Sequence, residues 1–225
     1  MRRTFPWIRA ERAVPTGPIP KRRILFVRHG ETDWNAERRM QGQRNIPLNS
    51  TGEDQARNVG QILPKLLNSA ETPDLWCSPL MRCVRTFELA AQQYSSATGS
   101  TLPTPHYDDR LKEITFGPME GKKLDELPPE QAQARANDHW GFKVDGAESY
   151  ADGSVRAAHW LAEQTGSGST LLIFSHGGIC RGLRHHLLEL PGEEAAGSAI
   201  PQGVVIEWTC DTKGYWQEQI YGQSL

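Results

Sequence analysis

Three apolar runs in this chain end on residues able to do chemistry. Ile24-Leu25-Phe26-Val27 delivers Arg28-His29 with Gly30 directly behind, and Thr170 to Ser175 delivers His176 followed by Gly177-Gly178. The third, Pro73-Asp74-Leu75-Trp76-Cys77, passes into Ser78-Pro79, with Arg82 just beyond. Short runs rich in β-formers and closed by glycine or proline read as buried strands. In open α/β sheets, ligands gather beyond the carboxyl ends of the strands. Two arginines there can pair a doubly charged anion through forked, charge-assisted hydrogen bonds. A histidine adds a nucleophile or proton donor near neutral pH, which lysine would not. Phosphate transfer asks little of a protein beyond positioning and charge stabilisation. A metal is dispensable where arginines supply the charge, so no metal and no cofactor is implied.

The elements that must carry these residues alternate. After the first strand, Asn49-Ser50-Thr51-Gly52-Glu53 offers helix caps, with Ser50 and Glu53 spaced as a capping box. The helix behind it sets Ala56, Val59, Ile62 or Leu63, and Leu66 or Leu67 on one face, with Pro64 as a candidate kink. Ser78-Pro79 starts a second helix running to about Ala97, because proline suits a first turn. Asp108 to Gly121 has no clear periodicity. Pro128-Pro129-Glu130 opens a helix through Ala136, and the loop from Asp145 to Ser154 leads into a helix carrying Val155, His159, Trp160 and Leu161. Gly166-Ser167-Gly168-Ser169 punctuates before the His176 strand, and a helix from about Ile179 to Leu190 follows it. Two antiparallel strands, near 203–210 and 215–221, close on a Lys213-Gly214 turn. This alternation argues for an α/β fold, a three-layer α/β/α sandwich around a mostly parallel central sheet.

The 225 residues carry a net charge of only −2, with no long basic block in the body, so no electrostatic footprint for nucleic acid is present. The near-neutral total hides an asymmetry. Arg2, Arg3, Arg9, Arg12, Lys21, Arg22 and Arg23 face Glu11 alone in the first 23 residues. Residues 1–22 therefore read as a basic, Pro-containing arm, and 23–225 as a single catalytic domain. Pro6, Pro15, Pro18 and Pro20 would interrupt the amphipathic helix of an organellar presequence, which favours a flexible extension. No stretch approaches the roughly 18 apolar residues of a membrane span. Cys77, Cys83, Cys180 and Cys210 show neither C-x-x-C spacing nor the crowding of a disulfide scaffold, and read as reduced thiols of a cytoplasmic protein.

The run Arg28-His29-Gly30-Glu31 with Asn35 resembles the signature of the histidine phosphatase superfamily, which includes the cofactor-dependent phosphoglycerate mutases and fructose-2,6-bisphosphatase. Further matches follow in order: Gln41-Gly42 with Pro47-Leu48 and Gly52, Ser78-Pro79-Leu80-Met81-Arg82 with Thr86, and Leu111-Lys112-Glu113 with Phe116-Gly117 and Glu120-Gly121. Gly146-Ala147-Glu148-Ser149 with Arg156, and Ser175-His176-Gly177-Gly178, complete the set. The resemblance implies a phosphoglycerate mutase-like fold and a mechanism in which His29 attacks phosphorus and becomes a phosphohistidine. For this, its attacking nitrogen must be held unprotonated by a hydrogen bond from the other ring nitrogen to a nearby carbonyl. It further implies that Arg28, Arg82 and His176 bind the transferring group, and that Glu113 serves as acid and base. Asn35, Gln41, Gly42 and Gly177 fall on phosphate- or substrate-binding positions. Glu120 lies close enough in sequence to compete with Glu113. Trp34 is a candidate lining residue, whereas Trp76, Trp140, Trp160, Trp208 and Trp216, and the histidines at 106, 139, 159, 185 and 186, read as packing or surface residues.

The same five residues serve hydrolysis and phosphate shuttling alike. Mutases of this kind carry a long basic insertion between the acid/base glutamate and the second histidine, and an arginine directly after that glutamate. Here Ile114 follows Glu113, and Lys122, Lys123, Arg135, Lys143 and Arg156 are scattered. A phosphomonoester hydrolase acting on a small phosphorylated metabolite is therefore preferred. A cofactor-dependent phosphoglycerate mutase and a non-catalytic phosphate-binding interaction protein are the alternatives. The expected partner is a small-molecule substrate, with neither nucleic acid nor membrane, and a homodimer stays open.

Overall fold

A computed structural model describes residues 19, 21–68, 72–165 and 170–222. Six strands form one sheet: β1 (Ile24–Arg28), β2 (Asp74–Cys77), β3 (His106–Tyr107), β4 (Leu171–Ser175), β5 (Val205–Cys210) and β6 (Trp216–Tyr221). Their spatial order is β3-β2-β4-β1-β5-β6. The pairs β1–β4, β2–β4 and β2–β3 are parallel, while β5 runs antiparallel to both β1 and β6.

The apolar runs are unbroken because both faces of the central strands are covered. Ile24 and Phe26 of β1 and Leu171 and Ile173 of β4 pack on one side with Trp160, Leu161 and Leu183. Those residues come from α5 (Tyr150–Ala162) and α6 (Gly177–Leu187). Leu25, Val27, Leu172 and Phe174 face the other way, against Val59, Leu63 and Ala90. These belong to α2 (Ser50–Leu66) and α3 (Met81–Thr98), and the result is the expected three-layer sandwich. No helix among the described residues is long and apolar enough to cross a membrane.

Register places the chemistry. Arg28 pairs with Ser175, and Cys77 with Phe174, so β1, β4 and β2 end side by side. The ladder runs one step further, with His29 N–H donating to the Ser175 carbonyl at 3.0 Å and Ser78 N–H to that of Phe174 at 2.9 Å. His29, His176 and Ser78 thus leave the sheet at one edge.

Several helix starts differ from the sequence reading, and at α2 and α3 a tertiary partner joins or replaces the local one. The cap of α2 is Asn49, not Ser50: its Oδ1 accepts from Gly52 N at 2.9 Å, and its Nδ2 donates to Glu31 at 3.0 Å. Helix α3 begins at Met81 rather than Ser78-Pro79, and the Met81 amide donates to Asn45 Oδ1, 3.1 Å away on another loop. Helix α6 begins at Gly177, two residues early, with His176 as its cap residue. Asp108 to Gly121, without periodicity, holds two short 3₁₀ turns, Asp109–Leu111 and Gly117–Met119. Pro64 lies in the last turn of α2, which continues past it to Leu66. Of the basic arm, Ile19, Lys21 and Arg22 are described. Arg22 is buried and pairs with Asp74 at 3.1 Å. The rest of the arm, and Gly166 to Ser169, lie outside the described residues.

The loop after β1 crosses the start of α2 at two glycines. A Cβ at Gly52 would stand 2.0 Å from the Glu31 carbonyl oxygen, and one at Gly30 would stand 2.2 Å from that of Gly52. Both obstacles are backbone, so neither can swing aside. Gly52→Ala is expected to lower stability by about 2 kcal/mol, within the range for overpacking, in urea unfolding. An unchanged midpoint would contradict the close crossing.

Candidate active site

A cavity of about 220 Å³ opens at this edge. Of the residues singled out in the sequence, Arg28, His29, Asn35, Gln41, Gly42, Arg82 and Glu113 line it. His176 stands behind them, fully buried, its ring centroid 5.1 Å from that of His29. Gly177 contributes space: a Cβ there would lie 3.3 Å from Arg181 Nη1 and 3.5 Å from Arg28 Nε.

His29 is held in one tautomer. Its Nδ1 lies 2.8 Å from the Gly30 carbonyl oxygen, which can only accept, so Nδ1 carries the proton and Nε2 keeps its lone pair. Burial, then Arg82, then Arg28 hold the His29 pKa well below its ordinary value. His176 is lowered in the same direction, first by burial and then by Arg82, His29 and Arg28. Its Nε2 lies 2.7 Å from Ser78 Oγ and 3.4 Å from Cys83 Sγ. Burial pushes the Cys83 thiol up to about 12, so it meets the imidazole as a neutral group.

The arginines, Arg82 fully buried and Arg28 partly so, are held by carbonyls. Arg28 Nη1 donates to Ile200 O at 2.6 Å, and Arg82 donates to Arg44 O and Gly42 O, both at 2.8 Å. Arg28 Nε and Arg82 Nε are buried without a hydrogen-bond partner among the described residues, as is Gln41 Oε1. Two forks with unused donors, aimed around a neutral imidazole, form a receptor for a small oxyanion.

Glu113 is held against the start of α6. Its carboxylate accepts from Gly178 N at 3.0 and 3.1 Å and from Ile114 N at 3.0 Å. A Cβ at position 178 would stand 2.2 Å from Glu113 Oε1, so the second glycine of the pair is what lets the carboxylate reach the amide.

Residues 24–221 match the histidine phosphatase superfamily (branch 1). The chain belongs to this superfamily. It is 36% identical over 173 residues to "Probable phosphoglycerate mutase GpmB" of Salmonella paratyphi C, a match covering 75% of each protein. Among solved structures, it is similar to a phosphoglycerate mutase from Thermus thermophilus, with 28% identity and a TM-score of 0.65, covering 89% of this chain and 99% of the other. It is also similar to a mycobacterial glucosyl-3-phosphoglycerate phosphatase in complex with VO3, with 26% identity and a TM-score of 0.72, covering 90% of this chain and 100% of the other.

Within this superfamily site, the two nearby glutamates part company. Glu120 turns away from the cavity: Oε1 accepts from Gln43 N, Thr115 Oγ1 and Phe116 N, and Oε2 pairs with Arg44 at 3.1 Å. It braces the loop carrying Gln41 and Gly42, and among the described residues Glu113 alone supplies a carboxylate to the cavity. Arg156 positions the Glu113 segment by donating to the carbonyls of Arg110 and Lys112 at 2.7 and 2.9 Å, while Glu148 holds its guanidinium. Trp34 does not line the cavity and instead packs on Gly121, where a Cβ would lie 3.1 Å from its ring.

The sequence reading missed Arg38, Arg135, Tyr150 and Arg181 in the cavity wall, and Gln202, which donates to His29 O at 3.0 Å. Arg181 had a signal, since it sits one helical turn after Gly177 on the same face of α6. Arg38 follows the short helix α1 (Asp33–Ala36) with φ 59°, a left-handed conformation that glycine adopts freely and arginine adopts at a cost on the order of 1 kcal/mol.

Because both buried imidazoles resist protonation, the unfolded chain binds more protons than the folded one below the unfolded histidine value of about 6.5. Their contribution to stability is complete above that pH and is lost as pH falls. Urea midpoints are expected to be flat from pH 8 to 7 and to drop toward pH 5.5, while the His29 and His176 ring resonances do not titrate over that range in the native protein. Titration of either ring near 6.5 would contradict the assignment.

Proposed function

We propose that this protein is a phosphomonoester hydrolase that works through a phosphohistidine on His29 and acts on a small phosphorylated metabolite. The observation that carries the proposal is the bond from His29 Nδ1–H to the Gly30 carbonyl, which leaves Nε2 with a lone pair inside an arginine-lined cavity. In the first step Nε2 bonds to phosphorus, the bond to the leaving oxygen breaks, and Glu113 gives that oxygen its proton. In the second, water attacks phosphorus as the Glu113 carboxylate takes its proton, and the P–N bond breaks. Arg28, Arg82 and His176 gather the charge of the transferring group, with Asn35, Gln41 and Gly42 binding its surroundings and Gly177 leaving them room. The arginines and the imidazole supply what a metal would, so no metal or cofactor enters. The catalytic unit runs from residue 23, with residues 1–22 as a basic arm whose Arg22 is buried against that unit, in a cytoplasmic protein.

A mutase reading draws on the names of the Salmonella and Thermus relatives. Hydrolysis is preferred because Ile114, directly after Glu113, is buried and packed toward Gly153 and Gly178, so the position at which the mutases carry an arginine is filled by an apolar side chain. Brisk conversion of 3-phosphoglycerate to 2-phosphoglycerate in the presence of 2,3-bisphosphoglycerate would reverse that preference.

Hydrolysis of p-nitrophenyl phosphate in EDTA is expected to persist in the wild type and to fall by on the order of 10³-fold or more in His29→Ala. Activity abolished by EDTA, or retained by the variant, would defeat the mechanism. Glu113→Gln is expected to lower kcat by about 10²–10⁴-fold. Gly178→Ala should lower it in the same direction by displacing the carboxylate, as checked by steady-state kinetics.

A further inference from the structure

The cavity carries more positive charge than a phosphate ester requires. Besides Arg28 and Arg82, its wall holds Arg38, Arg39, Arg135 and Arg181, and the lone carboxylate among the lining residues is that of Glu113. Arg39 is neutralised by Glu37 at 2.6 Å, with Glu126 at 3.6 Å. The other three have no carboxylate partner among the described residues. Arg181 Nε donates to the Ser198 carbonyl at 3.1 Å, and its guanidinium carbon lies 5.4 Å from the centre of the Tyr150 ring, which orients it without cancelling its charge. Arg135 is held by the imidazole of His139, itself edge-on to Tyr150 with centroids 5.3 Å apart. Arg38 is kept in a left-handed conformation although glycine would be free of strain there. Like charges brought together around one small space repel one another, and an anion relieves that repulsion. Arg28 and Arg82 match the two charges of a phosphate monoester. After Glu113 is set against one of the remaining three arginines, the wall still has charge for a further anionic group.

We propose that Arg38, Arg135 and Arg181 form a second anion subsite, so that the substrate is a small phosphate ester bearing another acidic group, a carboxylate or a second phosphate. This rests on the hydrolase reading above and narrows its substrate class. The subsite is built from the turn after α1, α4 (Pro129–Asn137) and α6 rather than from the residue after Glu113. Phe116 and Leu124 supply apolar parts of the same wall.

The test compares esters that differ only in the second group. The kcat/KM for phosphate release is measured with 3-phosphoglycerate against glycerol 3-phosphate, and with fructose 1,6-bisphosphate against fructose 6-phosphate. At least one acidic member is expected to exceed its neutral counterpart about tenfold or more, and which pair does so tells carboxylate from phosphate. In Arg135→Gln and Arg181→Gln that ratio should fall toward one, a tenfold change being about 1.4 kcal/mol. Ratios near one in the wild type, or unchanged in both variants, would overturn the subsite. The same pairs titrated calorimetrically into His29→Ala separate the two claims. If no ester is hydrolysed but the acidic member binds about tenfold more tightly, the hydrolase reading falls and the subsite stands. Equal binding removes the subsite whatever the kinetics.

Discussion

Two guanidinium groups, Arg28 and Arg82, are held at the edge of the sheet by backbone carbonyls instead of carboxylates, and the site depends on that substitution. A carbonyl fixes the geometry of a guanidinium but leaves its charge uncancelled. Removing such a charge from water costs several kcal/mol per ion, so the fold spends stability to keep two positive groups available to an anion. Burial first, and then the same field, keeps His29 and His176 neutral, since a protonated imidazole would be a third and fourth cation in the same space. Charge for the ligand and a lone pair for chemistry thus come from one arrangement.

Everything around the arginines serves to hold it. The β1–β4 register brings His29 beside Ser175, and α6 leaves the sheet immediately at Gly177, so a helix N-terminus stands at the same edge as the cavity. Glu113 takes one of those amides, that of Gly178, as its anchor. Its segment has no regular structure of its own and is tied down from three directions: Arg156 on its carbonyls, Ser175 Oγ on Leu111 O at 2.7 Å, and Glu148 on Thr115 N at 3.1 Å. Such a segment can be placed accurately only by its neighbours, and those come from the start of α5 and from the end of β4.

That difference explains what could be read from the sequence. Arg28, His29 and His176 were legible because a strand with both faces buried is an unbroken apolar run, and the residue after it must stand at the sheet edge. Arg82 was legible from its place after such a run, even though α3 starts at Met81 with its amide bonded to Asn45. Glu113 was visible only through resemblance, since two 3₁₀ turns carry no period. Arg135 and Tyr150 could not be found, because α4 has no buried residue to set its orientation and Tyr150 opens α5 after a loop. Trp34 failed for the same reason: it follows the site in sequence, but its direction is set by Gly121, far along the chain.

The proposed chemistry has one covalent consequence. Incubation with a phosphate ester, rapid quenching in alkali and peptide mass spectrometry should locate an acid-labile phosphate on His29, in greater amount in Glu113→Gln than in the wild type, because breakdown of the intermediate needs the carboxylate. Turnover of ester with no phosphate ever trapped on His29, or with phosphate trapped on another residue, would contradict the account.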